Sequence, residues 1–166
     1  MGDSAKVRMG ACTVSFNGED LGYTKGNVSV SYSTESQPKE VDQEDTPVDE
    51  IITKQTFEAK VPLAEYDLDR FAALLPGATV TKDGEKVRMD LSGSAGGSLV
   101  EKAAELKIHP IGGGANDAVT LHHAVPVPNL EYAYERDGQR VFEITFKALK
   151  GTKGFVTFGD TTVVAA

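Results

Sequence analysis

Alternation of apolar and polar residues at a period of two recurs along this chain and most restricts what it can fold into. In residues 27–33, Val28, Val30 and Tyr32 fall on one face, while serines occupy the other. Such alternation is typical of β-strands with one buried face. The pattern predicts strands at residues 11–17, 27–33, 52–63, 78–82, 87–91, 103–110, 117–125, 130–135 and 140–149, with a tail of β character at 154–158 and 161–164.

Turn residues and one change of period complete the predicted architecture. Asn17-Gly18 and Asp137-Gly138 are typical of β-hairpins, and residues 82–85 give a third hairpin signal. Residues 64–75 have helical spacing and end at Pro76-Gly77, which predicts a single helix. With 166 residues and 40% hydrophobic content, we expect one domain over residues 1–166. The predicted fold is mainly β, an antiparallel β-sandwich or barrel with one flanking α-helix.

Residues 34–50 interrupt the alternation with a strongly acidic segment. They contain seven acidic residues and one lysine, and Pro38 and Pro47 favour an irregular path. Long connections without secondary structure are usually functional or disordered. Burying so much charge within one subunit would be costly. We therefore expect an exposed loop that either contacts a partner or is simply solvated. Its charged residues are Glu35, Lys39, Glu40, Asp42, Glu44, Asp45, Asp49 and Glu50.

Overall charge and composition exclude several classes of function. The net charge of −8 argues against tight binding of phosphate, which needs clustered lysine and arginine. No apolar run approaches the roughly 20 residues that span a bilayer, and residues 1–8 lack the apolar core of a signal peptide. Cys12 is the only cysteine, so no internal disulfide can form, which fits a reduced compartment such as a cytoplasm. We expect no association with a membrane.

Metal and catalytic motifs are weak in this sequence. Carboxylates in residues 42–49 could bind calcium, but the EF-hand spacing and its glycine are missing. His122 and His123 are adjacent on a predicted strand and would point to opposite faces, and His109 lies on another strand. Residues 112–114 lack the residues of a phosphate loop, so a turn with positive φ is expected. We expect no enzyme, no metal and no cofactor, with Cys12 as a small buried apolar residue.

One stretch of the sequence resembles a known family. Residues 14–30, Val-Ser-Phe-Asn-Gly-Glu-Asp-Leu-Gly-Tyr-Thr-Lys-Gly-Asn-Val-Ser-Val, resemble the N-terminal signature of siphophage tail tube proteins. Residues 41–51, Val-Asp-Gln-Glu-Asp-Thr-Pro-Val-Asp-Glu-Ile, resemble its continuation, and residues 57–63 and the short helix follow in the same order. The resemblance spans about residues 11–75, and the remainder of the chain is compatible with a β-rich fold.

This resemblance implies a structural virion protein in the phage tail, assembled in the host cytoplasm. It implies two packed antiparallel sheets with a flanking helix, and hexameric rings stacked into a tube for DNA ejection. Neighbouring subunits would contribute strands to a continuous inner β-barrel, and the loop at 34–50 would reach into the next ring. Arms at about residues 1–10 and 154–166 would contact neighbours. The implied partners are other copies of this chain, a tape measure protein, and tail tip and terminator proteins, while DNA passes without tight binding.

The lining of the implied tube follows from the alternation. The candidates are the polar residues of the two strands on either side of the acidic segment, namely Ser29, Ser31, Ser33, Thr56, Glu58 and Lys60. The resemblance also implies a negatively charged lumen, from which Lys60 departs, so that it needs a carboxylate partner such as Glu58 of a neighbour. A register shift of one residue would reverse both faces. Two alternatives remain: a monomeric β-sandwich that binds carbohydrate or calcium, and the inner tube subunit of a contractile tail-like injection system.

Overall fold

A computed structural model describes residues 2–164 and shows a mainly β protein with one α-helix in that range. The early strands are β1 (Cys12–Phe16), β2 (Glu19–Asp20), β3 (Ser29–Lys39) and β4 (Asp49–Leu63). Helix α1 (Leu68–Leu74) follows, and then the hairpin of β5 (Ala78–Asp83) and β6 (Lys86–Leu91). The remaining strands are β7 (Ala104–Pro110), β8 (Val119–Pro128), β9 (Phe142–Ala148) and β10 (Val156–Phe158), with short 3-10 turns at Ser4–Lys6, Leu99–Lys102 and Ala115–Asp117.

Eight of the strands form one coiled antiparallel sheet. Its order is β2-β1-β7-β8-β9-β4-β3, and β10 pairs separately with β8. Strand β8 belongs to both halves, because Val119–Leu121 pair with β7 and β10, Ala124 pairs with both β7 and β9, and Val125–Pro128 pair with β9. The sheet therefore forms two layers. The first contains β2, β1, β7, β10 and the start of β8, and the second contains the end of β8 with β9, β4 and β3. The predicted β-sandwich with one flanking helix is confirmed.

The core lies between these two layers. Inward residues of the first layer, such as Val14 and Leu106, are fully buried, as are Val61 and Ile144 of the second. The ring of Phe16 lies 5.2 Å from that of Phe146, so the contact joins one layer to the other. Helix α1 closes the end of the core at which β4 terminates. Its Phe71 ring is 4.9 Å from Phe142, and the Asp67 side chain caps the helix by accepting from the amides of Asp69 and Arg70.

Two of the predicted hairpins are confirmed, and the third, at Asp137-Gly138, is wrong. Asn17 and Gly18 both have positive φ, 53° and 80°, as a two-residue type I′ turn requires. The signal at residues 82–85 joins β5 to β6. Residues 130–135, however, form no strand, and β9 pairs with β4 and β8 instead. The apparent alternation there has another cause: the Tyr132 ring packs 4.9 Å from Phe142. Residues 161–164 form no strand either.

Gly22 provides a direct test of the packing between the first layer and the helix. Its φ is +83°, and a Cβ there would overlap the Glu65–Arg70 ion pair. We expect Gly22→Ala to lower the free energy of unfolding by about 2–4 kcal/mol, combining backbone strain with displacement of that pair. Gly18→Ala is the matched control, because Gly18 has nearly the same φ, +80°, and nothing within 4 Å of a Cβ. Equal losses in urea unfolding of the two variants would contradict the steric argument.

Candidate assembly surface

Strands β3 and β4 form a long hairpin that corrects the expectation of an irregular loop at residues 34–50. Pairing continues from Ser29–Lys60 to Lys39–Asp49, so only residues 40–48 remain as a connection. The register shifts once, between Glu35 and Ser36, where Thr53 is the extra residue of a bulge on β4. Alternation is hidden here because both faces of this part of the hairpin are exposed, so neither face needs apolar residues.

The outer edge of β3 is the most unusual feature of the fold. All eleven residues of the strand are exposed, and within residues 2–164 its only strand partner is β4. A strand edge of this length presents a row of backbone groups that can pair with another chain. Pro38 is compatible with this place, since proline in a sheet is largely confined to edge strands. Strand β3 therefore offers a contact surface that its own subunit does not use.

The six residues predicted to line a tube lie together on one face of this hairpin. The register pairs Ser29 with Lys60, Ser31 with Glu58 and Ser33 with Thr56. Directly paired residues in an antiparallel sheet point to the same side. The hydroxyl oxygens of Ser33 and Thr56 are 3.2 Å apart, and further along the same face Lys54 Nζ lies 3.9 Å from Glu35 Oε1. We call this surface the polar face.

Strand β9 extends the polar face beyond the six residues that were predicted from the sequence. Lys147 pairs in register with Glu58, and its Nζ lies 3.6 Å from Glu58 Oε1. Thr145 pairs with Lys60, and Glu143 follows on the same face. The carboxylate that was expected to neutralise Lys60 is thus already near Lys147 of its own chain. Across the part of the chain that the structure describes, Lys60 forms no ion pair. The alternation of residues 140–149 puts Glu143, Thr145 and Lys147 on one face, and this pattern could have identified the extension from the sequence.

The opposite face of the hairpin carries exposed apolar residues, contrary to the expected burial of Val30 and Tyr32. These residues, with Ile52 and Phe158, are between 46% and 68% exposed. Tyr32 lies 6.5 Å and Phe158 5.9 Å, ring to ring, from the buried Phe57, so the rings are contiguous. The first layer meets this face at Phe158 of β10, and Val30, Tyr32 and Ile52 remain about half exposed. We call Val30, Tyr32, Ile52 and Phe158 the apolar stripe.

The tip of the hairpin, residues 40–48, contains Glu40, Asp42, Glu44 and Asp45. The other charged residues assigned to the predicted loop, Glu35, Lys39, Asp49 and Glu50, lie on the paired strands. All of them are exposed. At the 3.3 Å rise per residue of a strand, Asp49 lies roughly 25 Å along β4 from Phe57, the last buried residue in that direction. The hairpin therefore carries a concentrated negative charge well beyond the core.

Metal sites and membrane spans are not found in the described residues. No group of three or more histidine, cysteine, aspartate or glutamate side chains in residues 2–164 is arranged to hold a metal ion. In the same range, no helix has the length and apolar character needed to cross a membrane. His122 Nε2 instead lies 2.6 Å from Thr157 Oγ1, which connects β8 to β10.

Calcium binding by the tip can be tested directly. We expect calorimetric titration of the protein with CaCl₂ to give no saturable heat in the micromolar range, because the tip carboxylates are not gathered around a common point. Titration of the variant with Asp42 and Asp45 changed to asparagine serves as the control. A micromolar site that disappears in this variant would favour the calcium-binding alternative.

Cys12 and Asp117 have pKa values that their surroundings shift. Burial raises the pKa of the Cys12 thiol, which is the opposite of what an activated nucleophile requires. A hydrogen bond from Arg8 is the main cause that lowers the pKa of Asp117. Arg8 Nε lies 2.9 Å from Asp117 Oδ1, so this pair attaches the N-terminal arm to the turn before β8. Acidification below the usual range of a carboxyl would neutralise Asp117 and weaken the attachment.

No protein-family model matches this chain, and no curated protein matches its sequence. The function must therefore be argued from the free edge, the polar face, the apolar stripe and the acidic tip.

Proposed function

We propose that this protein is the major tail tube subunit of a long-tailed phage, a structural protein that assembles with copies of itself and catalyses no reaction. The observation that carries the proposal is strand β3: its eleven residues are all exposed, and within residues 2–164 its outer edge pairs with no other strand. Monomeric proteins usually shorten, cover or charge such edges. Pairing with a neighbour would satisfy the backbone groups of β3, and closure into a ring would remove the edge altogether.

The second layer has the form that a tube wall needs. It consists of β3, β4, β9 and the end of β8, with β3 at one side and residues 125–128 at the other, where β9 is the only described strand that pairs with β8. In a ring, β3 of one subunit would lie beside residues 125–128 of the next, a heterologous contact that closes with rotation. Six subunits with four strands each would give a barrel of about 24 strands, wide enough for a water-filled channel.

The polar face suits the inside of such a channel. It carries serine and threonine hydroxyls together with the balanced pairs Glu58–Lys147 and Glu35–Lys54. Hydroxyls and paired charges, with Lys60 as an isolated cation that has no ion pair in residues 2–164, give a wet surface without a cluster of cations that would hold phosphate. The net charge of −8 further disfavours adhesion of DNA. We propose that the polar face lines the lumen and that DNA passes over it without tight binding.

The acidic tip would join successive rings. The hairpin extends well beyond the core in one direction only, so the two ends of the subunit differ. A contact between the tip of one subunit and the body of the next is therefore head-to-tail, the arrangement that generates an open stack. Assembly would take place in the host cytoplasm, with a tape measure protein and tail tip and terminator proteins fixing the length and the ends of the tube.

Electron microscopy tests this function. We expect negative-stain images of the purified protein, incubated with the tail tip and tape measure proteins of the same phage, to show rings and hollow tubes. Omission of those proteins should reduce tube number. Replacing Ser31 and Ser33 by lysine adds two charges to each β3 edge and should suppress assembly, since charged side chains on an edge strand disfavour pairing with another chain. Persistence of monomers under every condition would refute the proposal.

A further inference from the structure

The loop between β8 and β9 carries an exposed aromatic surface. Residues 129–141 form no strand, and they lie at the end of the sheet where β4 terminates, because Phe142 pairs with Leu63. Tyr66, Tyr132 and Tyr134 meet at this end, and they are 59%, 40% and 79% exposed. Surface loops of this length that are packed by their own side chains are frequently functional.

A closed circuit of contacts fixes these rings on the core. Tyr132 packs 4.9 Å, ring to ring, from the buried Phe142 and 5.6 Å from Tyr134. Tyr66 packs 6.0 Å from Phe142. The guanidinium carbon of Arg140 completes the circuit, 5.7 Å from the ring centre of Tyr66 and 4.9 Å from that of Tyr134. The surface is therefore arranged before any ligand arrives, which lowers the cost of binding.

Arg140 is the group in this circuit that can recognise an anion. It is exposed, and no carboxylate of residues 2–164 lies within 4 Å of its guanidinium nitrogens. Contact with two tyrosine rings fixes where the guanidinium lies, and its N–H groups can bind a carboxylate in pairs. Lys25 Nζ lies 2.7 Å from Oε1 of Gln139, so a second cation is close to the loop. Glu135 of the same loop packs against Gly138 instead.

The form of the surface favours a small ring-shaped ligand over a peptide. Peptides usually bind in an apolar groove or along a free strand edge, and residues 129–141 contain no strand. A cleft of about 470 Å³ beside Tyr132 is lined in part by Asn129, Glu131 and Glu143. Amide and carboxylate groups hydrogen-bond hydroxyls, and tyrosine rings offer flat apolar faces with a polar tip. Together with the guanidinium, these groups match a sugar that carries a carboxylate.

We infer that the tyrosine–arginine surface, formed by Tyr66, Tyr132, Tyr134 and Arg140, binds a carboxylated sugar such as glucuronic acid, with the carboxylate on Arg140 and the pyranose ring against Tyr134. This surface shares no residue with the outer edge of β3, the polar face or the apolar stripe. The inference goes beyond the proposed tube, because it concerns the isolated subunit whether or not tubes form. For an open site and a ligand of this size, we expect affinity in the millimolar range.

A titration of the full-length, isotope-labelled protein monitored by NMR tests the site. The probe is methyl β-D-glucuronide, and methyl β-D-glucoside is the same ring without the carboxylate. We expect saturable shifts of amides in residues 130–141 with the glucuronide, and binding of the glucoside should be at least tenfold weaker. Sodium acetate, which has the carboxylate without the ring, should also bind at least tenfold more weakly.

Arg140→Gln should weaken binding of the glucuronide at least tenfold, and Tyr134→Ser at least threefold. Arg136→Gln is the matched control, because Arg136 is an exposed arginine of the same loop with no aromatic contact among the described residues. It should change the affinity less than twofold, and the amide spectrum outside the loop should stay the same in all three variants.

The inference would be overturned by the absence of saturable shifts, by equal binding of the glucoside or of acetate, or by equal losses from the two arginine changes. Shifts of the same amides by a peptide of residues 40–48, with none from the glucuronide, would also overturn it. That result would assign the tyrosine–arginine surface to an acidic protein segment.

Discussion

Replacing residues 40–48 by Asn-Gly is expected to leave the subunit folded and to abolish elongation of tubes. Lys39 and Asp49 are directly paired, so a two-residue turn between them can close the hairpin without changing its register. The replacement removes the four carboxylates of the tip and the exposed Val41 and Val48, but no residue of the core. We expect the melting temperature to change by less than about 3 °C, because surface changes away from the core seldom exceed 0.5 kcal/mol.

The measurement is negative-stain electron microscopy together with sedimentation, which separates rings from stacked tubes. The matched control puts the same two residues, Asn-Gly, in place of Gly84-Glu85 at the tip of the β5–β6 hairpin, where Asp83 pairs with Lys86. This control should assemble as the wild type does. Tubes of normal length from the shortened β3–β4 hairpin would mean that the tip does not join rings. Unfolding of the subunit would mean that the tip contributes to the stability of the core.

Phe146→Ala is expected to produce the largest loss of stability of the changes considered, about 3–5 kcal/mol in the free energy of unfolding. Phe146 is fully buried on β9 and contacts Phe16 of the other layer at 5.2 Å. Truncation leaves a cavity between two β-sheets, which cannot easily move together because each is fixed by its ladder of hydrogen bonds. The measurement is urea unfolding monitored by circular dichroism.

Phe158→Ala is the control for this change. Phe158 is also a strand phenylalanine with an aromatic neighbour, Phe57, but most of its side chain is exposed. Its truncation should cost less than about 1 kcal/mol in the isolated subunit. Similar losses from the two changes would show that the contact between the layers contributes less than its burial indicates.

The sequence predicted most of the elements because they depend on local signals. The strands at β1, β4, β7 and β9 and the helix α1 fall where periodicity placed them. The Asn17-Gly18 turn followed from the need for two residues with positive φ. In each case a buried face or a special backbone conformation restricts the residue types that occur within a short stretch of the chain.

Two errors have a common physical origin. Residues 34–39 and 49–51 are strand although they lack alternation, because both of their faces are exposed and no pattern was required. Residues 130–135 alternate but form no strand, because Tyr132 packs on Phe142 from an irregular loop. Alternation in the sequence arises from the burial of side chains, whereas strand pairing arises from hydrogen bonding of backbone groups. The two usually coincide, and at these two places they do not.

By itself, the sequence determined the β class, the position of helix α1 and the grouping of Ser29, Ser31, Ser33, Thr56, Glu58 and Lys60 on a single face, since all of these follow from spacing along the chain. Only the tertiary structure decided that β3 is an edge, that Val30 and Tyr32 are uncovered and that Lys147 neutralises Glu58. The reason is that exposure depends on how far the opposite layer extends. That extent depends in part on β7, β8 and β10, which lie more than 60 residues from β3 in the chain, and no local pattern contains it.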